Sequence, residues 1–232
     1  MKKLLYICGI GIFVISVLGE CLLFGGKKEG SATLNGVMLV GEHQALKTIK
    51  DKFKNEIKSA TLYKIKQTES EGKHVFVMDE KTAQKVVKTG IIAESDSNDD
   101  KFGSEPIFSL PKITDNEALL LAHPKNKNIK NVELSGMKIK TKYKNNAWLG
   151  GGDFRNKKLD ELLLIVDNDT FEKLPTSESY LNIVELNKTY KFNKYERNNA
   201  EKQSNNEYFK FIKNIQTNIK DGIAQGVLIK KK

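Results

Sequence analysis

Two periods organise the apolar positions of this chain, and the places where one gives way to the other mark its elements. Thr33 to Val40 reads as a strand that closes on Val37, Met38, Leu39 and Val40. From His43 to Ile57 the apolar residues Leu46, Ile49, Phe53 and Ile57 recur at steps of three and four, which is one face of an amphipathic helix. Ala60 to Ile65 and His74 to Met78 return to strand character on either side of a polar turn over Thr68 to Gly72. Asp79 is placed to cap a helix over Glu80 to Lys88 that Gly90 ends. The acidic stretch Glu94 to Gly103 reads as an exposed loop, Pro106 and Pro111 bracket an extended piece, and Ala118 to Ala122 is a short buried strand.

Beyond a polar turn over Pro124 to Asn131, Val132, Leu134, Met137, Ile139, Thr141 and Tyr143 predict strands facing a core on one side. Trp148 to Asn156 carries Gly150, Gly151 and Gly152 and reads as a loop. Leu159 to Val166 is the most apolar run outside the N-terminus and is expected to be a central strand, followed by a short helix over Thr170 to Leu174. Tyr180 to Leu186 and Tyr190 to Tyr195 give two further strands. A final helix over Asn205 to Lys220 has Tyr208, Phe211, Ile212, Ile215 and Ile219 on one stripe, and Gly222 stops it. There is one internal echo: Val75 to Val86 and Leu163 to Leu174 both read as strand, Asp, helix. The expected fold class is α+β, a mixed α/β domain over residues 33–232 that the echo would divide into two related lobes.

The first hydrophobic stretch, Leu4 to Phe24, is preceded by Lys2 and Lys3 and interrupted only by Glu20. As a helix it would be about 30 Å long, enough to cross a bilayer core. Residues 1–24 are therefore read as an N-terminal transmembrane anchor or signal segment, 25–32 as a linker, and the remainder as extracellular, with the lysines held inside. Val17, Leu18 and Gly19 offer a signal-cleavage site, but a mature start at Glu20 would expose Cys21 to Phe24, which favours the uncleaved anchor. Lipoprotein processing at Cys21 is disfavoured by Glu20, which stands where a small residue is required. Cys8 and Cys21 would lie about 20 Å apart along such a helix and cannot bridge within one chain, so the exported part has no disulfide.

Charge alters the picture less than its size suggests. The formal net charge is +10, from 39 basic and 29 acidic residues, which favours acidic partners and anionic surfaces. Lysine and asparagine recur throughout without aromatic interleaving, so the bias reads as composition rather than a patch, and export argues against nucleic acid. His43, His74 and His123 are far apart and none has a partner ligand three or four residues away, so no metal site is expected. No Gly-x-Ser-x-Gly elbow with a downstream His appears, and Gly150 to Gly152 lead into Asp153 rather than the Gly-Lys-Ser/Thr of a phosphate loop. Asp96, Asp99 and Asp100 lack the alternating oxygen ligands of a calcium loop. No catalytic residue and no cofactor are expected. The candidate ligand contacts are Trp148, as an aromatic at a glycine-rich tip, and Arg155, Lys157 and Lys158, as cations for an anionic headgroup or pyrophosphate.

The order of "VFVMDEKTAQKV", "ITDNEALLLA", "LLIVDNDTFEKL", "YLNIVEL" and "NNEYFKFIKNIQTNIKDG" behind a membrane segment resembles the large extracellular domain of FtsX-like ABC transporter permeases, in particular the bacitracin-export type of Gram-positive bacteria. The resemblance spans about Thr33 to Gly222. It implies a non-enzymatic cell-membrane protein for export of, or resistance to, antimicrobial peptides. Its implied partners are an ABC transporter ATPase, other permease segments and a sensor kinase. The rival expectation is a secreted or surface-anchored binding or adhesion protein with no transport role.

Overall fold

Val75 to Met78 and Leu162 to Val166 are continuous apolar runs, and a strand without a polar face needs cover on both sides. The rest of the chain supplies that cover. The computed structural model describes residues 31–95, 104–114, 117–150, 162–193, 198–219 and 222–230. In chain order the elements are β1 (Ser31–Gly41), α1 (His43–Lys52), β2 (Ile57–Ser70), β3 (Lys73–Asp79), α2 (Glu80–Val87), β4 (Ile92–Glu94), β5 (Glu105–Pro106) and β6 (Ala118–Ala122). After a single 3-10 turn (Pro124–Asn126) come β7 (Asn131–Leu134), β8 (Met137–Asn145), β9 (Ala147–Leu149), β10 (Leu162–Val166), α3 (Asn168–Lys173), β11 (Glu178–Asn193), α4 (Asn199–Gln216) and β12 (Ile223–Val227). The architecture is mixed α/β and mostly sheet. A nine-stranded sheet runs in the order β12-β1-β11-β2-β3-β10-β6-β8-β7, and β5-β4-β9 form a smaller one. No helix among the described residues is long and apolar enough to cross a membrane, and the expected anchor over residues 1–24 lies outside them.

The centre of the large sheet is the parallel pair β3 and β10, in which Leu162 faces Val75 and Ile165 faces Met78. Alternate residues send side chains to opposite faces. On one face Met38, Ile65, Phe76, Met78, Leu163, Ile165 and Leu181 pack with Ala83, Val86 and Val87 of α2 and with Ile92 and Leu149 of the small sheet. On the other face lie two clusters. Leu46 and Ile49 of α1 and Phe211 and Ile215 of α4 cover Val37, Leu39 and Val184. Phe171 of α3 and Val132 and Ile139 of the β7–β8 hairpin cover Val75, Val77, Leu162 and Leu164.

The echoed segments are these two central strands and their helices. They stand side by side in one sheet, not in two lobes, because each strand is the other's hydrogen-bonding neighbour. Asp79 accepts from Thr82 N at 2.9 Å and Asp167 from Thr170 N at 2.8 Å, so both helices start on the same capping chemistry.

Several boundaries differ from expectation for identifiable reasons. The helix expected to reach Ile57 ends at Lys52, with Phe53 still buried but as a turn residue, and Ile57 already belongs to β2. The strands expected at Tyr180–Leu186 and Tyr190–Tyr195 are one 16-residue strand, β11, whose register shifts against β1 between Leu34 and Gly36. The two hairpins β2–β3 and β7–β8 turn on Glu71-Gly72 (φ 51° and 73°) and Ser135-Gly136 (φ 48° and 83°), the left-handed pairs that two-residue turns require.

Strand β12, which the sequence does not announce, is fastened by side-chain amides. Asn35 Nδ2 donates to Ile229 O at 3.1 Å while its Oδ1 accepts from Ile229 N at 2.7 Å. Gln216 does the same at the other end, donating to Gly222 O and accepting from Ala224 N, both at 2.9 Å. Gly226 is required here because a Cβ would overlap the Tyr208 hydroxyl.

Burial pushes the Asp167 carboxyl up, but hydrogen bonds from Thr170 outweigh it and hold the group below its ordinary value. A depressed folded pKa stabilises fully above the unfolded value and is lost as pH falls through the folded one. Asp167→Ala should therefore cost about 1 kcal/mol at pH 7. In urea unfolding curves taken at pH 7 and near pH 3, the gap between wild type and variant should narrow in acid. An equal gap at both would show that the carboxylate charge is not what caps α3.

Candidate binding surface

The titratable side chains with the strongest environments serve the fold. His74 is pushed below its ordinary pKa by burial, only partly opposed by Glu69, and bonds Gln67 Oε1 at 3.2 Å. Gln67 in turn donates to Ser179 Oγ at 2.6 Å, and Ser179 Oγ donates to Gly41 O at 3.2 Å. This chain runs from imidazole through an amide, which cannot relay a proton, so it holds β2, β3, β11 and the end of β1 together. The His43 ring lies 4.9 Å from the Tyr180 ring at a tilt of 39°, and His123 Nδ1 accepts from Lys125 N at 3.1 Å. Among the described residues no group of three His, Cys, Asp or Glu side chains is placed to hold a metal ion.

Lys66 is a second structural anchor. It is 4% exposed, and its Nζ donates to Phe171 O at 2.6 Å and Leu174 O at 2.7 Å while lying 5.0 Å from the Phe171 ring centroid. A cation at the C-terminal carbonyls of α3 complements the dipole there.

The four candidate ligand contacts are not all where a mobile tip would put them. Trp148 lies in β9, pairs with Ala93 of β4 and is 5% exposed, so its ring belongs to the interior. The glycines after it made the segment look like a loop, whereas the strand continues to Leu149 and Gly150 takes φ 99° at its end. Arg155, Lys157 and Lys158 lie outside the described residues.

What the sequence reading missed is a difference among the lysines. On the face formed by β2 and β11 they are matched with acids: Lys58 with Glu185 at 2.9 Å and Lys64 with Glu178 at 2.5 Å. The hydrogen bond from Lys64 holds Glu178 below its ordinary carboxylate value, and the same bond raises Lys64. Lys188 pairs with Glu207 in the same manner. On β8 the pattern is different. Lys138, Lys140, Lys142 and Lys144 occupy alternate positions and are all exposed, while Ile139 and Thr141 between them are buried. Among the described residues these four make no ion pair or hydrogen bond through their side chains. Across the ladder Asn131 faces Lys140 and Glu133 faces Lys138, so Glu133 is the one acid opposite the row on β7. The signal was present as four lysines at period two, but it was submerged in a chain rich in lysine everywhere.

A protein-family model described as an uncharacterised lipoprotein family matches residues 34–213. The chain is also similar in structure to a candidate lipoprotein from Bacillus anthracis solved by crystallography, with 19% identity and a TM-score of 0.62, covering 84% of this chain and 99% of that one. At that identity the likeness speaks for the fold alone. No curated protein matches. These findings overturn the resemblance to FtsX-like permeases. The short motifs behind it, such as the two Asp-capped strand–helix units, describe common local structure and not a permease. With it fall the expected partners, an ABC transporter ATPase, further permease segments and a sensor kinase, and the expectation of a transporter for antimicrobial peptides.

Since Trp148 fills interior space, Trp148→Ala should cost about 3–5 kcal/mol of stability, as large-to-small core changes do. Chemical unfolding measures it; a loss under about 0.5 kcal/mol, the scale of a surface change, would mean the ring is not part of the core.

Proposed function

The chain belongs to this uncharacterised lipoprotein family, and from that premise we infer that it is a non-enzymatic binding protein held at the outer face of the membrane by a lipid on Cys21. The observation that carries the reading is the family match over residues 34–213 together with a cysteine at the end of the N-terminal apolar run. Leu18 stands three residues before Cys21 and Gly19 two before it, while Cys8 has only the four residues Leu4 to Ile7 between it and the leading lysines. Cys21 is thus the cysteine with a full apolar segment ahead of it. Glu20 departs from the small residue expected at that position, and the proposal is that processing tolerates it. Two acyl chains on one residue supply the pair of signals that stable anchoring needs.

Binding rather than catalysis is favoured because the histidines, the capping aspartates and the buried lysine are engaged in holding elements together. Arg155, Lys157 and Lys158 stay in the proposal as contacts for an acidic ligand, without the Trp148 ring.

Metabolic labelling with a fatty-acid analogue in a host that makes lipoproteins tests the anchor. Wild type and Cys8→Ser should carry the label and fractionate with membranes, and the mature chain should begin at Cys21 by mass spectrometry. Cys21→Ser should lose the label. A labelled Cys21→Ser protein, or a wild-type mass that retains Met1 to Glu20, would defeat the lipid-anchor reading in favour of a transmembrane anchor.

A further inference from the structure

We propose that the outer face of β8 is a docking track for a linear polyol-phosphate polymer, with Lys138, Lys140 and Lys142 each opposing one phosphodiester and Lys144 adding positive charge at the end of the track. Alternate residues of a regular strand recur about every 6.7 Å, so Lys138, Lys140 and Lys142 form a row about 13 Å long, and the extra residue that β8 inserts against β6 between Tyr143 and Asn145 sets Lys144 off that line at its end. Three covalent bonds of an extended chain span about 3.8 Å, so phosphates linked through a three-carbon polyol, six bonds apart, recur about every 7 Å. The two periods match along the regular part of the strand, from Lys138 to Lys142.

Three features select this partner. Among the described residues these lysines make no ion pair, whereas Lys58 and Lys64 of β2 and Lys188 of β11 are matched with glutamates, so the row carries its charge outward with only Glu133 set across from it on β7. No exposed aromatic is interleaved with them, since Tyr143 packs on the opposite side against the core; a nucleic-acid track needs faces on which bases stack. Nor is the row flanked by apolar surface of the kind that beds into a bilayer, because the exposed large hydrophobic side chain among the described residues is Leu62, on β2. A row one strand wide fits a one-dimensional polyanion better than a plane of headgroups. The rival explanation is that Lys142 and Lys144, on the stretch of β8 that runs past its ladder with β7, merely keep that open side from pairing with other molecules. That role would require no ligand.

The inference deepens the binding-protein reading and does not depend on the anchor, so Cys21 labelling is scored separately on the same variants. The full chain in neutral-lipid nanodiscs is titrated with synthetic poly(glycerol phosphate), with glycerol phosphate monomer, with oligothymidylate, and with vesicles of phosphatidylglycerol. The expected result is salt-dependent binding of poly(glycerol phosphate), with the monomer much weaker. Lys140→Gln/Lys142→Gln/Lys144→Gln should weaken it about tenfold or more near 0.1 M salt and lower the slope of log affinity against log salt by about 2. A control of equal charge change on exposed lysines elsewhere, Lys47→Gln/Lys50→Gln/Lys54→Gln, should leave affinity within about twofold, since distant exposed charges are largely screened at that salt. Equal loss in the control, preference for oligothymidylate or vesicles, or no polymer binding by wild type would each overturn the proposal. A β8 variant that becomes aggregation-prone but binds as before would assign the row to edge protection.

Discussion

The parallel pairing of β3 with β10 is the constraint on which the other elements depend. Two adjacent strands with no polar face cannot remain stable unless both sides of the sheet are roofed, and the pairing register decides how. Asp79 lies opposite Val166, not opposite Asp167, so the two strand-to-helix units are offset by one residue. In a strand one residue is the difference between the two faces. Met78 therefore points into one core layer and Val166 into the other, and the helices that follow depart in opposite directions. Two segments that look alike in sequence thereby supply one roof tile to each side of the same sheet.

Much of this frame was legible in the sequence. The apolar run ending at Val166, the stripes of α1 and α4, both Asp caps and the β2–β3 hairpin follow from periodicity and turn chemistry. What was not legible depended on partners remote in the chain. Asn187, Lys188 and Thr189 read as a break, yet β11 continues through them because β1 holds it beyond a bulge and Glu56 O bonds Asn187 N. Strand β12 contains Gly226 and precedes a run of lysines, and it is a strand because β1, remote in the chain, pairs with it from Ile223 to Val227, with Asn35 and Gln216 fastening its two ends. Trp148 sat beside three glycines, and local composition outweighed the pairing with β4 that no local signal encodes.

The binding surface divides in the same way. A lysine's significance lies in whether an acid stands across the ladder from it, and that depends on register. Lys58 and Lys64 acquire glutamates on β11 from the antiparallel alignment, whereas the alignment with β7 gives β8 one acid, Glu133 opposite Lys138, asparagine opposite Lys140, and nothing beyond it. Family membership was illegible for a different reason: strand, Asp, helix is a solution that unrelated folds share, so it specifies geometry without specifying ancestry.

The position of β1 bears on how the domain would carry load. The chain enters the sheet at Ser31, and β1 is gripped by β11 on one side and β12 on the other. Its inter-strand bonds are perpendicular to the strand, so a pull along β1 stresses both ladders simultaneously, in shear, and cannot peel them rung by rung. The Asn35 clasp on Ile229 lengthens the shorter ladder at one end, and Gln216 ties the other end of β12 to α4. Held by the lipid proposed on Cys21, such a domain would be strongest along the line through which the surface would tug on it.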